Sequence, residues 1–206
     1  YNLSKNLIEL PWFYCIDEDH WVSTTDIPAE HDLKLSPQTF KIFHSVGNYS
    51  IRTDENGVNI KCTHIYEKVV SELKVDGYDI DLVCVKDIKN VDIKYYMMQC
   101  DVVGDMLTYG FFGANIREAM LLGVPSICYL RPVWIKQVRS QLPDYADEPV
   151  IDANPESIKE TLIELMQNKE KLVSIGKKSK DFALKYHSKK SAGPIMDRVF
   201  TDILNE

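Results

Sequence analysis

The sequence predicts an α/β protein, with a parallel sheet covered by helices on both faces. Three observations carry that expectation. From residue 40 onward, short apolar runs alternate with longer segments whose apolar residues recur at helical spacing. The helical segments stop at recognisable signals, Gly77 in one case and Gly123 followed by Pro125 in another. Residues 101–130, DVVGDMLTYGFFGANIREAMLLGVPSICYL, read as one complete strand, loop, helix and strand. In such a unit the loop lies at the carboxyl edge of the sheet, where open α/β sheets bind ligands.

Taken in order, residues 7–15 are aromatic-rich and predict a strand, followed by an acidic turn at 17–19 that ends at Trp21. Residues 22–38, with Pro28 and Pro37, predict an irregular connection. FKIFHS, residues 40–45, is a β-rich strand, and the polar stretch 47–59 with its Glu55-Asn56-Gly57 turn signal is a long loop. A helix is expected over 63–74, where Ile65, Val69 and Leu73 share a face, then a strand over 79–85 and a helix over 92–99. The central unit follows: strand 101–103, loop 104–113, helix 114–122 and strand 126–130. Residues 131–142 predict a loop or short helix broken by Pro143, and 150–152 a short strand. Asn154-Pro155-Glu156 is a helix start, with Asn as cap and Pro in the first position. That helix runs to about 167 and a second from 169 to 186. Gly193-Pro194 is expected to break the chain before a last helix over 195–204.

Composition narrows the function. The 206 residues are 45% hydrophobic and 27% charged, which is ordinary for a globular protein with a real core. A net charge of −7 argues against non-specific nucleic-acid binding. No apolar run approaches the roughly 18 residues that a membrane span needs. The five cysteines, Cys15, Cys62, Cys84, Cys100 and Cys128, are odd in number and include no CxxC, so free thiols in a reducing compartment are expected. No metal-ligand spacing occurs among the histidines, and GxSxG, the Walker pattern and GxGxxG are absent.

What remains is a candidate anion site. The start of helix 114–122 offers unpaired N–H groups and the positive end of a dipole, which suits a diphosphate. Gly113 permits close approach there, and Glu118, about one turn inside, can reach back toward a ligand hydroxyl pair or simply face solvent. Lys61, where the long loop meets the first helix, can clamp a phosphate, and Arg52 is a second cation in that loop. His44 ends the first strand and either touches a phosphate or packs. Asp105 and Tyr109, in the loop of the central unit, are equally open.

Several segments together resemble the donor-binding half of retaining GT-B glycosyltransferases of the GT4-like kind. GANIREAMLLGVPSICYL, residues 113–130, is similar to the family segment in which a Glu is followed by Ala-Met, then Gly and Pro, then a strand. FKIFHS with the loop and Ile60-Lys61-Cys62-Thr63 is similar to its strand, loop and Lys-Gly pair. Residues 150–191, ending in KYHSKK, look like its closing tail, and LPWFYCIDEDHW, residues 10–21, like its interdomain lead-in.

The resemblance implies a Rossmann-like domain over residues 39–192, a lead-in over 1–38, and a carboxyl-terminal helix over 193–206 that packs on a separate acceptor domain. It implies transfer of a sugar from a nucleotide sugar to a glycan or glycoconjugate, as in bacterial-type surface polysaccharide assembly, with no metal and no cofactor beyond the substrate. Lys61 and Glu118 would be the catalytic pair, holding the diphosphate and the ribose hydroxyls. His44, Gly47, Arg52, Gly113, Ala114 and Asn115 would contact the donor, and Val85 and Lys86 would meet the nucleobase. Gly110 stands eight residues before Glu118, where many members carry a second acid, so either its backbone or Tyr109 would meet the sugar instead or donor choice would differ. Cys62 stands where the family has the Gly after its Lys. Because no acceptor domain fits upstream of Leu10, the chain is expected to be the donor half of a longer enzyme, or an orphan half, inactive in transfer alone. It is expected in the cytoplasm, including the inner face of the membrane. The alternative is a non-catalytic nucleotide-binding or scaffolding domain of the same fold.

Overall fold

A computed structural model describes residues 14–24, 26–141 and 149–205. Five strands, all parallel, form one sheet among these residues, in the order β2-β1-β3-β4-β5. They are β1 Phe40–Val46, β2 Ile80–Lys86, β3 Val102–Gly104, β4 Ser126–Cys128 and β5 Ile151–Asp152. The helices are α1 Tyr49–Arg52, α2 Thr63–Val75, α3 Asn90–Met97, α4 Ala114–Leu122, α5 Pro132–Gln141, α6 Ile158–Gln167, α7 Lys169–Tyr186 and α8 Lys189–Asn205. This is the expected α/β Rossmann-like architecture.

The two-residue period of the strands builds two cores. Ile42, Val102 and Ile127 point to one face and pack with Leu73 of α2 and Leu162 of α6. Their neighbours Phe43, Val103 and Cys128 point to the other face, under α3, α4 and α7. Helix α4 is buried from Ile116 through Leu122, so it fills the layer rather than lying on it. Just past its end the chain meets α7 with no side chain between them: a Cβ on Gly176 would stand 2.2 Å from the Gly123 carbonyl oxygen.

The expected elements from residue 40 to 122 are present, with informative differences elsewhere. The loop 47–59 contains the single turn α1, closed by hydrogen bonds from the Ile51 and Arg52 N–H groups to the Asn48 carbonyl, both 3.0 Å. Residues 132–141 are helical, with Pro132 in the first position, where its missing N–H is no loss. Asn154 does cap, accepting from the Glu156 and Ser157 N–H groups at 3.0 and 2.9 Å, but it caps a turn, and α6 begins at Ile158. The largest correction is at Gly193-Pro194. Helix α8 runs through it from Lys189 to Asn205. The helix begins early because its first turn is fixed by other contacts. The Ser188 side chain caps it through the Ser191 N–H, and the Lys189 N–H donates to Glu18 at 2.7 Å. Once the helix is under way, Pro194 forfeits one backbone bond but no longer decides where the helix starts. The boundary expected at residue 193 therefore falls inside a helix.

The lead-in is laced to the same junction. The Ile16 N–H donates to the His187 carbonyl at 2.7 Å, and Lys189 pairs with Asp17 and Asp19 at 2.8 and 2.6 Å. The turn expected at 17–19 is present, closed by the Trp21 N–H on the Asp17 carbonyl, and the connection 22–38 holds only a 3-10 turn, Ala29–His31, among its described residues. The strand expected over 7–15 lies, except for its last two residues, outside the described residues, as does Pro143. The five cysteines are free thiols. No helix among the described residues is long and apolar enough to cross a membrane.

Candidate functional site

Strands β1 and β3 are neighbours, yet the chain leaves β1 toward β2 on one side and β3 toward β4 on the other. That reversal opens a crevice at their carboxyl ends, the place where doubly wound sheets take ligands. The loop after β1 delivers Lys61 to this crevice. The loop after β3 starts with Asp105 and ends at Gly113, the residue before α4.

Lys61 and Asp105 form an ion pair through Lys Nζ and Asp Oδ1, with the lysine side chain 14% exposed and the aspartate 0%. Asp105 is held from behind, since the Tyr66 hydroxyl donates to its carbonyl at 2.9 Å. Its second oxygen, Oδ2, is buried with no hydrogen-bond partner among the described residues. Glu118, from the second turn of α4, is 6% exposed. Its Oε1 accepts from the Asn90 side chain at 3.2 Å, while its Oε2 is likewise buried and unpartnered. Burial raises the Glu118 carboxyl above its ordinary range, and nearby Asp105 adds to this; the Asn90 amide and the Lys61 charge oppose it. Three charged groups therefore share one small volume. Asn115 ties the α4 start to β1 by donating to the Ser45 hydroxyl at 2.6 Å.

His44 lies under this cluster, fully buried. Its Nδ1–H donates to the Gly104 carbonyl at 3.0 Å, and its Nε2 accepts from the Thr63 hydroxyl at 2.8 Å. The Asn59 amide donates to that same hydroxyl at 3.0 Å. Burial drives the imidazole down to about 4, so it is neutral at physiological pH. With both ring nitrogens engaged inside the protein, His44 joins β1, β3 and α2.

The structure thus brings Lys61, Glu118, Gly113 and Asn115 to the crevice, with Ala114 exposed at the helix start. Gly47 sits in an exposed turn, and Arg52 ends α1 on the surface. Val85 is core. Lys86 is exposed with its ammonium 3.9 Å from the Tyr49 ring centroid, and the Tyr49 N–H donates to Asp87 at 3.0 Å, so the loops after β1 and β2 are joined along the sheet edge. Gly110 is buried with φ +104°, and its carbonyl accepts the Arg131 N–H at 2.8 Å. Beside the α4 start lies a cavity of about 520 Å³ walled by Tyr109, Phe111, Phe112 and Trp134.

Asn90 and the Thr63–Asn59 pair carried no signal in the sequence. Asp105 did, as an acid directly following an apolar strand, but nothing there showed that it takes Lys61.

No protein-family model matches the sequence, and neither does any curated protein. Solved structures do match. Sucrose-phosphate synthase from Thermosynechococcus elongatus superposes with a TM-score of 0.63 at 14% identity, over 93% of this chain and 52% of that one. Anabaena HepE in complex with UDP and glucose gives 0.61 at 13% identity, over 93% and 55%. The carboxyl-terminal domain of the glycosyl transferase group 1 family protein LpcC from Francisella tularensis gives 0.50 at 15% identity, over 82% of this chain and 97% of that domain. The chain spans about half the length of the first two and nearly all of the third. It has the fold of the carboxyl-terminal half of a GT-B glycosyltransferase.

Proposed function

We propose that this chain is the nucleotide-sugar-binding half of a glycosyltransferase that passes a hexosyl group from a nucleoside diphosphate to a glycan or glycoconjugate. The observation that carries the reading is the convergence of Lys61 and Glu118 at the switch point, beside the start of α4. A lysine and a helix N-terminus meet a diphosphate, and a buried carboxylate within reach accepts the ribose hydroxyls. The leaving group is a nucleoside diphosphate, so chemistry consists largely of neutralising the charge that develops on it. Lys61 and the first N–H groups of α4 do that without a metal or a further cofactor. Retention of configuration follows from the family resemblance. HepE, which shares the fold, is crystallised with UDP and glucose, and this supports the substrate class.

The acceptor half is a separate domain in this reading, and α8 offers it a face, with Phe200, Ile203 and Leu204 exposed. Transfer then needs both halves, while donor binding needs only this one. Free cysteines fit a reducing cytoplasm, at or near the inner membrane face where glycan acceptors are elongated. A second reading, a scaffold that kept the fold and lost the chemistry, is favoured by one feature: Asp105 already neutralises Lys61.

Calorimetric titration with UDP, GDP and ADP, then with their sugar conjugates, separates the two. Donor binding predicts selective affinity for one nucleotide. It also predicts a loss of roughly tenfold or more in Lys61→Ala, the scale of a charged hydrogen bond. No binding at millimolar concentration, with the acceptor half also supplied, would leave the scaffold.

A further inference from the structure

The unpartnered Oδ2 of Asp105 has a consequence for sugar recognition. A buried carboxylate oxygen without a donor is costly, and native interiors leave few of them. The side-chain donors around Asp105 are engaged elsewhere. Lys61 is on Oδ1. The Tyr66 hydroxyl is on the Asp105 carbonyl, His44 Nδ1 on the Gly104 carbonyl, and the Asn115 amide on Ser45. The direction of Oδ2 is also defined. It lies 3.8 Å from where a Cβ on Gly113 would stand, so it lies beside the entry of α4, where glycine brings no side chain against it.

We propose that Asp105 is the acid that accepts a hydrogen bond from a hydroxyl of the transferred sugar, through Oδ2, while its Oδ1 keeps Lys61 aligned on the diphosphate. This rests on the donor-site reading and adds to it a residue that determines sugar specificity. The partner is a hydroxyl rather than a second phosphate, because a carboxylate repels an anion and accepts from an O–H. It also explains how the site works without an acid at position 110. With φ +104° there, and a Cβ that would stand 2.8 Å from the Arg131 Cβ, the backbone admits little but glycine. A site built around a buried acceptor rejects sugars that lack the matching hydroxyl, since the acceptor is then left bare.

The test compares the preferred nucleotide with its sugar conjugate by calorimetry, in the unaltered chain and in Asp105→Asn. The amide keeps an oxygen for Lys61 and puts an NH2 donor where Oδ2 was. The expected result is that the added affinity of the conjugate over the nucleotide falls roughly tenfold or more, whatever the lost charge beside Lys61 does to the nucleotide alone. A series of conjugates each lacking one sugar hydroxyl should show one that binds the unaltered chain about tenfold less well and the variant no worse than the parent conjugate does. Equal losses for nucleotide and conjugate, or no change in either, overturn the proposal. If the variant does not fold, a structure of the unaltered chain with the conjugate decides: a sugar oxygen within hydrogen-bond reach of Oδ2 supports the proposal, and none there overturns it. Failure of the donor-site reading is a separate result, visible as absent nucleotide binding in the unaltered chain itself.

Discussion

His44 and Asp105 stand at the ends of neighbouring strands, and both are fully buried polar groups. The resemblance would have His44 serve a ligand, and the sequence leaves Asp105 open, but their surroundings separate them. His44 is neutral and both of its ring nitrogens are bonded. Asp105 carries one oxygen on Lys61 and one with no partner among the described residues. Burial does not distinguish a framework group from a ligand group, but the state of its hydrogen bonds does. A group whose every atom is bonded inside the protein has nothing left to offer a ligand, and one left half-bonded has.

The strongest way to break this comparison is to remove His44. Replacing it by Ala leaves the Gly104 carbonyl and the Thr63 hydroxyl short of a partner and opens a cavity, with an expected cost of about 4 kcal/mol in denaturant unfolding. Nucleotide affinity should change by less than about threefold where the variant is folded, the margin within which a group that touches no ligand should stay. A variant that stays stable but loses nucleotide would make His44 a ligand group and dissolve the distinction.

Acid should reveal the same framework role with no mutation. Burial lowers His44 from 6.5 to about 4 in the fold. The unfolded chain therefore takes up a proton that the folded chain refuses. Stability from this group is complete above pH 6.5 and is lost as pH falls toward 4, at about 1.4 kcal/mol per unit, or about 3 kcal/mol in all. His187, lowered to about 3 by burial and by the Arg117 charge, adds a loss of the same sign. Urea midpoints measured from pH 7 to 4 should fall steadily, and a flat profile would mean that these rings are solvated.

Glu118 sharpens the other side of the comparison, because there stability and binding should move in opposite directions. Its carboxyl is raised by burial, so the folded state gives up the proton reluctantly, and the ionised group is a net cost to the fold at neutral pH. Glu118→Gln removes the charge and keeps an oxygen for the Asn90 amide. It should unfold about 1 kcal/mol less readily, while binding nucleotide about 2 kcal/mol more weakly, roughly 30-fold. The 2′,3′-dideoxy nucleotide should bind both forms alike, since it brings no diol to the carboxylate. Loss of binding together with loss of stability would mark Glu118 as framework, like His44.

These contrasts also explain what the sequence could and could not disclose. β1, α2 and α4 were legible because their apolar periods and stop signals are local. The carboxyl edge of the sheet was legible because alternating strands and helices call for a parallel sheet, but the strand order that opens the crevice was not. The role of His44 was not legible, since its partners lie 60 and 19 residues away. The Asn90–Glu118 contact joins two helices, 28 residues apart in sequence. α8 was misread for the same reason: Pro194 is a local signal, while Lys189 is held by Glu18, Asp17 and Asp19 from the far end of the chain. Local chemistry named the candidates, and distant partners decided which of them were already engaged.

The smallest expected effect concerns Gly110, and it bears on whether Asp105 is needed at all. If position 110 could carry an acid, that acid could meet the sugar and Asp105 would be superfluous. The backbone argues otherwise. A left-handed φ of +104° costs a side chain about 1 kcal/mol or more, and the Cβ would also press on Arg131, whose N–H holds the Gly110 carbonyl. Gly110→Ala should therefore lower stability by about 1–2 kcal/mol, read from urea midpoints, and leave nucleotide affinity unchanged. Gly110→Glu should cost at least as much and bring no gain for the sugar conjugate over the nucleotide. A gain there, in a folded variant, would show that the loop can turn an acid toward the sugar from position 110, and the case for Asp105 would lose one of its supports.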